Sequence, residues 1–144
     1  MNTNVIETTQ LCKYYGSLHA LENVNVHVPK GAIYGLVGDN GAGKSTLLKT
    51  LAGQSFATSG EIRLLGQTSE RDLRLARKHI GCLIEDTGCF PNMTVTQTLR
   101  YYSIQRGISD KRRADEMLAL VGLAEKRRAK CGSLSMGQRQ RLGL

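Results

Sequence analysis

The first part of the chain alternates between strand-like and helix-like patterns of apolar residues. Residues 24–28 alternate with a period of two, which predicts a strand with one buried face. The apolar run 32–37, bounded by glycines, is typical of a strand buried on both faces. Leucines at helical spacing predict a helix over 44–51. The pattern then predicts a strand over 60–65, a polar helix over 69–78 and a strand over 79–84.

From about residue 94 the spacing becomes helical. Thr94 and Gln97 have the spacing of a capping box, in which a side chain at each end satisfies a backbone N–H of the other. Val95, Leu99 and Tyr102 then give the following helix an apolar stripe.

A second helix is predicted over 110–121, with Ala114, Leu118 and Val121 on one face. Ser135 is a suitable N-cap for a third helix, whose end is not reached by Leu144. The pattern as a whole therefore predicts an α/β core followed by a helical part.

The composition is that of a soluble globular protein, with 40% hydrophobic and 22% charged residues. The longest apolar run is far shorter than the roughly 20 residues of a membrane-spanning helix, and the N-terminus has no secretory signal pattern. The four cysteines form no C-x-x-C pair, and the three histidines are scattered among them. We therefore expect a chain that is neither exported nor inserted in a membrane, with reduced thiols rather than a zinc or disulfide framework.

The formal net charge is +8, and two basic clusters at 111–113 and 126–130 carry much of the excess. A basic balance is compatible with nucleic acid, an anionic membrane surface or nucleotide phosphates as partners. The clusters accompany helical patterns and are not interleaved with aromatic residues, which favours solvated helix faces over a nucleic-acid groove.

A glycine-rich motif between the apolar run and the first helix predicts a nucleotide site. Residues 38–45 match every fixed position of G-x-x-x-x-G-K-[ST], and a strand pattern precedes the motif while a helix pattern follows it. Glycines let backbone N–H groups approach a phosphate closely, at a helix N-terminus whose dipole favours anions. The predicted binding residues are Gly38, Asn40, Gly41, Ala42, Gly43, Lys44, Ser45 and Thr46.

Two side chains of this loop have roles of their own. Lys44 is expected to act in catalysis by supplying positive charge to the β and γ phosphate oxygens, and the Ser45 hydroxyl is expected to ligate Mg²⁺. The motif does not say which kind of nucleotide-dependent protein carries it, because kinases, GTPases, motors and transporter ATPases share it.

A second motif distinguishes among these classes of nucleotide-dependent protein. Leu134-Ser-Met-Gly-Gln138 is followed by Arg-Gln-Arg-Leu and resembles the L-S-G-G-Q signature of the ATP-binding-cassette ATPases, with Met136 in place of the usual first glycine. The segments 11–16, 20–24 and 33–38 are also similar to this family, so the resemblance spans almost the whole chain. In the family, signature residues contact the nucleotide of a second domain, which implies this role for Ser135, Gly137 and Gln138.

The resemblance also implies an aromatic residue that stacks on adenine and a metal-contacting residue in the loop after residue 84. The spacing to Gly16 favours Tyr15 for stacking, with Tyr14 as the rival. Glu85 stands where the family usually has a glutamine, and it would be a catalytic and Mg²⁺-contacting residue. Because a carboxylate accepts hydrogen bonds but cannot donate them, its ability to position water is an open question. The local string around Glu85 is similar to the bacitracin and lantibiotic export or self-protection branch.

The family implies a P-loop NTPase core, with a mixed or parallel sheet and antiparallel N-terminal strands, and a helical subdomain. We expect the nucleotide-binding core over 1–88, and the helical subdomain with the signature helix over 89–144. The family's hydrophobic strand ending in aspartate, its catalytic glutamate and its switch histidine all follow the signature, and none lies within the 144 residues. The 144 residues alone are therefore expected to hydrolyse ATP poorly.

The family further implies ATP and Mg²⁺ as cofactors, a second ATPase domain in a head-to-tail dimer, and a membrane-spanning permease subunit. It places the protein in the cytoplasm, on the inner face of the membrane, with export of a substrate such as an antimicrobial peptide as its function. The alternatives are soluble cassette ATPases that act on DNA or on the ribosome. The former carry long heptad insertions, which do not occur between Lys44 and Ser135, and the latter normally have two cassettes in one chain. A nucleic-acid partner is therefore not expected.

Overall fold

The computed structural model describes residues 4–84, 88–110 and 112–144. The chain forms two compact units, the first of which ends at Ile84. None of the helices in the described part of the chain has both the length and the apolarity needed to cross a bilayer.

The first unit is built on a three-stranded antiparallel sheet. Its strands are β1 (Asn4–Tyr15), β2 (Leu18–Pro29) and β3 (Ser59–Leu64), in the order β2-β1-β3. A two-residue turn joins β1 to β2, so that Tyr15 pairs with Leu18 at the end of the hairpin. β1 also pairs with β3, from Ile6 opposite Leu64 to Cys12 opposite Ser59. The antiparallel strands expected at the start of the chain are therefore present.

Two helices complete this unit, α1 (Lys44–Leu51) and α2 (Glu70–Arg77). Ser69 caps α2 by accepting a hydrogen bond from the Asp72 N–H. The apolar faces of the sheet and of both helices meet in one core, and burying them stabilises the unit. This core contains Leu11, Leu21, Val26, Leu47, Ile62, Leu64, Leu73 and Ala76.

Two predicted strands are not formed. Residues 32–37 have no strand pairing, and Ile33 and Val37 are almost fully exposed instead of buried on both faces. Residues 79–84 are also irregular, and the N–H groups of His79 and Ile80 turn back to carbonyl groups of α2. A strand needs hydrogen-bonding neighbours along its edges, and the described sheet of β2, β1 and β3 offers none to these two segments.

The second unit is helical, as its sequence pattern predicted. Its helices are α3 (Val95–Gln105), α4 (Arg112–Leu120) and α5 (Met136–Gly143). Thr94 forms the predicted capping box with Gln97. Thr96 also ties the start of α3 to the segment before α5, because its N–H and its hydroxyl both donate to the Arg127 carbonyl oxygen. The core of this unit contains Val95, Leu118, Leu123, Cys131, Leu134 and Leu142.

Candidate nucleotide site

The glycine-rich loop leads directly into α1. The Ala42 N–H donates to the Asp39 carbonyl oxygen, which closes a tight turn around Asn40 and Gly41. Gly41 and Gly43 both have a positive φ, of 89° and 90°, in a region that costs other residues about 1–2 kcal/mol. The shape of the loop therefore depends on these two glycines, whereas Gly38, the first glycine of the motif, has no positive φ.

Gly43 is required for a second reason. A side chain on Gly43 would overlap the carbonyl oxygen of Ala20 in β2 and would come within 2.9 Å of the Leu21 side chain. In the described part of the chain, no atom other than those of Gly41 and its two neighbours lies within 4 Å of the corresponding position on Gly41. The loop is thus pressed against β2 at Gly43, which fixes where α1 begins relative to the sheet.

The N-terminus of α1 can receive an anion. Gly43 occupies the N-cap position, and within the described residues no side chain caps the helix. The backbone N–H groups of the first turn, at Lys44, Ser45 and Thr46, are the ones that an α-helix leaves without an intrahelical acceptor. These N–H groups lie at the positive end of the helix dipole, which favours a phosphate group. The Ser45 hydroxyl lies in the same turn. The donors present therefore fit a nucleotide phosphate with its Mg²⁺.

Lys44 reaches back across the loop that precedes it. Its ammonium group donates to the carbonyl oxygens of Gly38 and Asp39, with both N···O distances 2.6 Å. The positive charge is therefore held over the loop. These two hydrogen bonds are the ones that Lys44 would exchange for phosphate oxygens.

The two candidate aromatic residues differ in their surroundings. Tyr14 stacks on His19 with ring centroids 4.2 Å apart, and a hydrogen bond with Cys12 raises the pKa of the Tyr14 hydroxyl. Tyr15, the last residue of β1, is 50% exposed. Tyr15 thus offers more open ring surface to a base than Tyr14, and its stacking role stays a prediction.

The signature residues form the start of α5 in the second unit. Ser135 is the N-cap, with its hydroxyl oxygen accepting from the Gln138 N–H at 3.2 Å. The Gln138 side chain accepts in return from the Ser135 N–H at 2.9 Å. The cap at Ser135 was predicted from the sequence and the part of Gln138 was not, although Ser-x-x-Gln is the spacing of a capping box.

Nothing among the described residues requires a glycine at position 137. Gly137 lies in the first turn of α5 without a positive φ, and no described atom beyond its own turn of the helix lies within 4 Å of where a side chain would begin. Glycine in a helix costs about 1 kcal/mol relative to alanine. The preceding Met136, which is 70% exposed, also has helical backbone, so it carries no strain from a positive φ.

The remaining predicted site residue, Glu85, lies outside the described residues. The predicted residues thus fall into two groups. Residues 38–46 and Tyr15 belong to the first unit, and Ser135, Gly137 and Gln138 belong to the second.

Comparison with known proteins agrees with these features. The family model described as "ABC transporter" matches residues 21–144. The bacitracin transport ATP-binding protein BcrA of Enterococcus faecalis is 38% identical over 140 residues, which are 97% of this chain and 46% of that protein. BcrA of Bacillus licheniformis is 36% identical over 142 residues, with 99% of this chain and 46% of that protein covered. The chain thus spans less than half the length of these relatives.

Solved structures show the same fold. A structure described as the ATP-binding subunit of an ABC transporter superposes with a TM-score of 0.80 and 25% identity, covering 96% of this chain and 59% of that chain. The cbiO1 protein of Clostridium perfringens superposes with a TM-score of 0.78 at 24% identity, with 98% of this chain and 59% of that chain covered. The predicted α/β fold class is therefore confirmed.

Proposed function

The chain belongs to the ABC transporter family, and from that premise we propose that it binds ATP with Mg²⁺ and serves to couple ATP hydrolysis to transport. The observation that carries the proposal is the loop before α1. Gly43 sets this loop against β2, while the loop delivers Lys44 to a helix N-terminus that no described side chain caps. A triphosphate is the ligand that such a combination of N–H groups and a lysine suits best.

Each residue of the loop has its own role in binding the nucleotide. The N–H groups from Gly41 to Thr46 bind the β-phosphate, and Lys44 leaves the carbonyl oxygens of Gly38 and Asp39 to bind the β and γ oxygens. Ser45 ligates Mg²⁺, which when bound neutralises charge on the phosphates. Tyr15 stacks on adenine. Glu85 is proposed as a further Mg²⁺-contacting and catalytic residue.

The signature helix acts on the nucleotide of a second copy of the domain. Gly137 supports this step, because a glycine that none of the described residues requires leaves room for close approach from outside. The N-terminus of α5 and that of α1 would contact one triphosphate from two chains, and a two-fold axis would create two such sites. In this proposal the core over 1–88 binds ATP, and the part over 89–144 presents the signature.

The relatives support a transport function. Two proteins named for bacitracin transport match almost the whole chain, so we propose export of an antimicrobial peptide or a similar substrate. The ATPase would work at the cytoplasmic face of the membrane, on a permease subunit that spans it. Deleting the gene should then sensitise the cells to the transported peptide, and sensitivity unchanged across a panel that includes bacitracin would contradict this choice of substrate.

Calorimetric titration with ATP and Mg²⁺ tests the nucleotide site. Lys44→Ala removes a charge-assisted contact worth roughly 1.5–3 kcal/mol, so the affinity should fall about 10- to 100-fold. Lys30→Ala removes the same charge from the exposed turn after β2 and should leave the affinity within about twofold. Equal ATP affinity in Lys44→Ala and the parent would refute the site.

A further inference from the structure

The hydroxyl of Tyr15 is held by a residue far away in the sequence. It lies 3.2 Å from the Ser55 Oγ, 40 residues along the chain. Ser55 belongs to the segment between α1 and β3 and is half-buried, while Tyr15 is half-exposed at the end of β1. The hydrogen bond therefore restrains the outer edge of a half-exposed ring.

One face of the same ring is also occupied. The ammonium group of Lys13 lies 4.7 Å from the centre of the Tyr15 ring, within the range of a cation–π interaction. Lys13 and Tyr15 are two residues apart in β1 and so share one side of the strand. A base that stacks on Tyr15 would use the face opposite Lys13.

The backbone of Tyr15 lies close to the phosphate-binding loop. Tyr15 pairs with Leu18, and Ala20, which lies against Gly43, is only two residues further along β2. At about 3.3 Å per residue, the two positions are separated by roughly 7 Å along the strand. The backbone of Tyr15 therefore lies on the part of the hairpin that is adjacent to the loop, and its ring is the aromatic group of β1 that we propose for the base of a nucleotide bound there.

The segment that carries Ser55 does not depend on Ser55 for its position. The Tyr14 N–H donates to Thr58 Oγ1 at 3.0 Å, and the Thr58 N–H donates to the Cys12 carbonyl oxygen at 2.8 Å. These two hydrogen bonds attach the segment to the backbone of β1. Loss of the Ser55 hydroxyl would thus release the Tyr15 ring without releasing the segment.

We propose that Ser55 is a positioning residue for adenine, because it holds the Tyr15 ring in the orientation on which the base stacks. The inference rests on the proposed ATP site. An exposed tyrosine without this hydrogen bond samples several rotamers and loses that freedom on binding, whereas a ring that is already fixed does not. Ser55 contacts Tyr15, and in this proposal it acts on the nucleotide through that ring, so its loss should reduce the contribution of the base to the binding affinity and leave the contribution of the phosphates unchanged.

The test compares two ligands, ATP and inorganic tripolyphosphate, which has the phosphates without the base. Ser55→Ala should weaken ATP binding about three- to tenfold and leave tripolyphosphate binding unchanged. Tyr15→Phe keeps the ring but removes its hydroxyl, so it should cause a similar loss. The double variant should be no weaker than either single variant, because both remove the same hydrogen bond.

Ser69→Ala is the matched control. It removes a serine hydroxyl of the same unit that caps α2 and has no hydrogen bond to Ser55 or Tyr15, so it should leave the ratio of the two affinities unchanged even where it lowers the melting temperature. If Ser55→Ala and Tyr15→Phe both kept the parent ratio, the positioning role would be refuted while the ATP site stood. If the parent bound neither ligand, the proposed ATP site itself would fail.

Discussion

Gly43 lies against Ala20 so closely that a side chain on Gly43 would overlap the Ala20 carbonyl oxygen. This contact places the start of α1 against β2. It also distinguishes Gly43 from Gly41, although the two glycines look equivalent in the sequence motif. Gly41 needs only its positive φ, whereas Gly43 needs both its positive φ and the absence of a side chain.

Alanine substitutions at these two glycines should therefore have unequal effects on stability. Gly41→Ala should lower the free energy of unfolding by about 1–2 kcal/mol, because it strains the backbone alone. Gly43→Ala should cost roughly 1–3 kcal/mol more, because the loop must also move away from β2. Urea unfolding measures both values, and equal losses would show that the loop does not press on β2.

Ser135 allows capping to be separated from contact with a partner's nucleotide. Ser135→Ala removes the cap of α5 and should cost about 1 kcal/mol of stability, as Thr94→Ala should at the equivalent cap of α3. Ser135→Asp keeps a capping side chain but places a negative charge where the γ-phosphate of the partner's nucleotide is proposed to lie.

The aspartate variant should therefore retain the parent's stability and lose association driven by ATP. Light scattering after size exclusion, with ATP and EDTA so that turnover is blocked, measures the association. A Ser135→Asp variant that associates as readily as the parent would contradict a role for the signature across the dimer.

The thiols should react in an order set by burial. The Asn23 N–H and the Tyr14 hydroxyl hydrogen-bond the Cys12 sulfur and lower the pKa of this thiol, which favours the reactive thiolate. Cys12 is nevertheless only 4% exposed, and Cys131 is fully buried. A reagent reaches either thiol only when the structure opens locally, and such opening outweighs the lowered pKa in setting the rate.

Cys82 should consequently react first with a thiol reagent under native conditions. Its side chain is exposed, although partial burial raises the pKa of the Cys82 thiol, so its rate should continue to increase with pH above the usual range of a free cysteine. Timed alkylation with peptide mass mapping gives the order, and Cys82→Ser should remove the fast phase. A fast phase that maps to Cys12 would contradict the expectation that burial limits the reaction rate of this thiol.

The 144 residues by themselves should bind ATP but hardly hydrolyse it. Phosphoryl transfer needs an oriented water and a Mg²⁺ held from more than one side, and the family places the further acidic residues after the signature. We expect a turnover at least roughly a thousandfold below the usual enzyme range of about 1–1,000 per second. Steady phosphate release that disappears in Lys44→Ala would instead show that Glu85 or another residue of this chain supplies the missing groups.

The sequence alone determined the parts whose interactions are local. The helices α1, α2, α3 and α5 begin within one residue of where the sequence signals predicted, because the hydrogen bonds of a helix join residues only three or four positions apart. Ser69, Thr94 and Ser135 cap α2, α3 and α5 over the same short distance, and α1 follows its glycine-rich motif directly. The glycine-rich loop was found for the same reason, since its motif is contiguous along the chain.

Only the tertiary structure decided the features that depend on residues far apart in the sequence. The run 32–37 has the composition of a buried strand, but strands form only where a neighbouring edge supplies hydrogen bonds, and the described sheet supplies none to it. Likewise, no spacing in the sequence indicates that Ser55 meets Tyr15 or that Ala20 meets Gly43. Those contacts exist because the fold brings together segments 40 and 23 residues apart, and side-chain patterns within one segment carry no information about them.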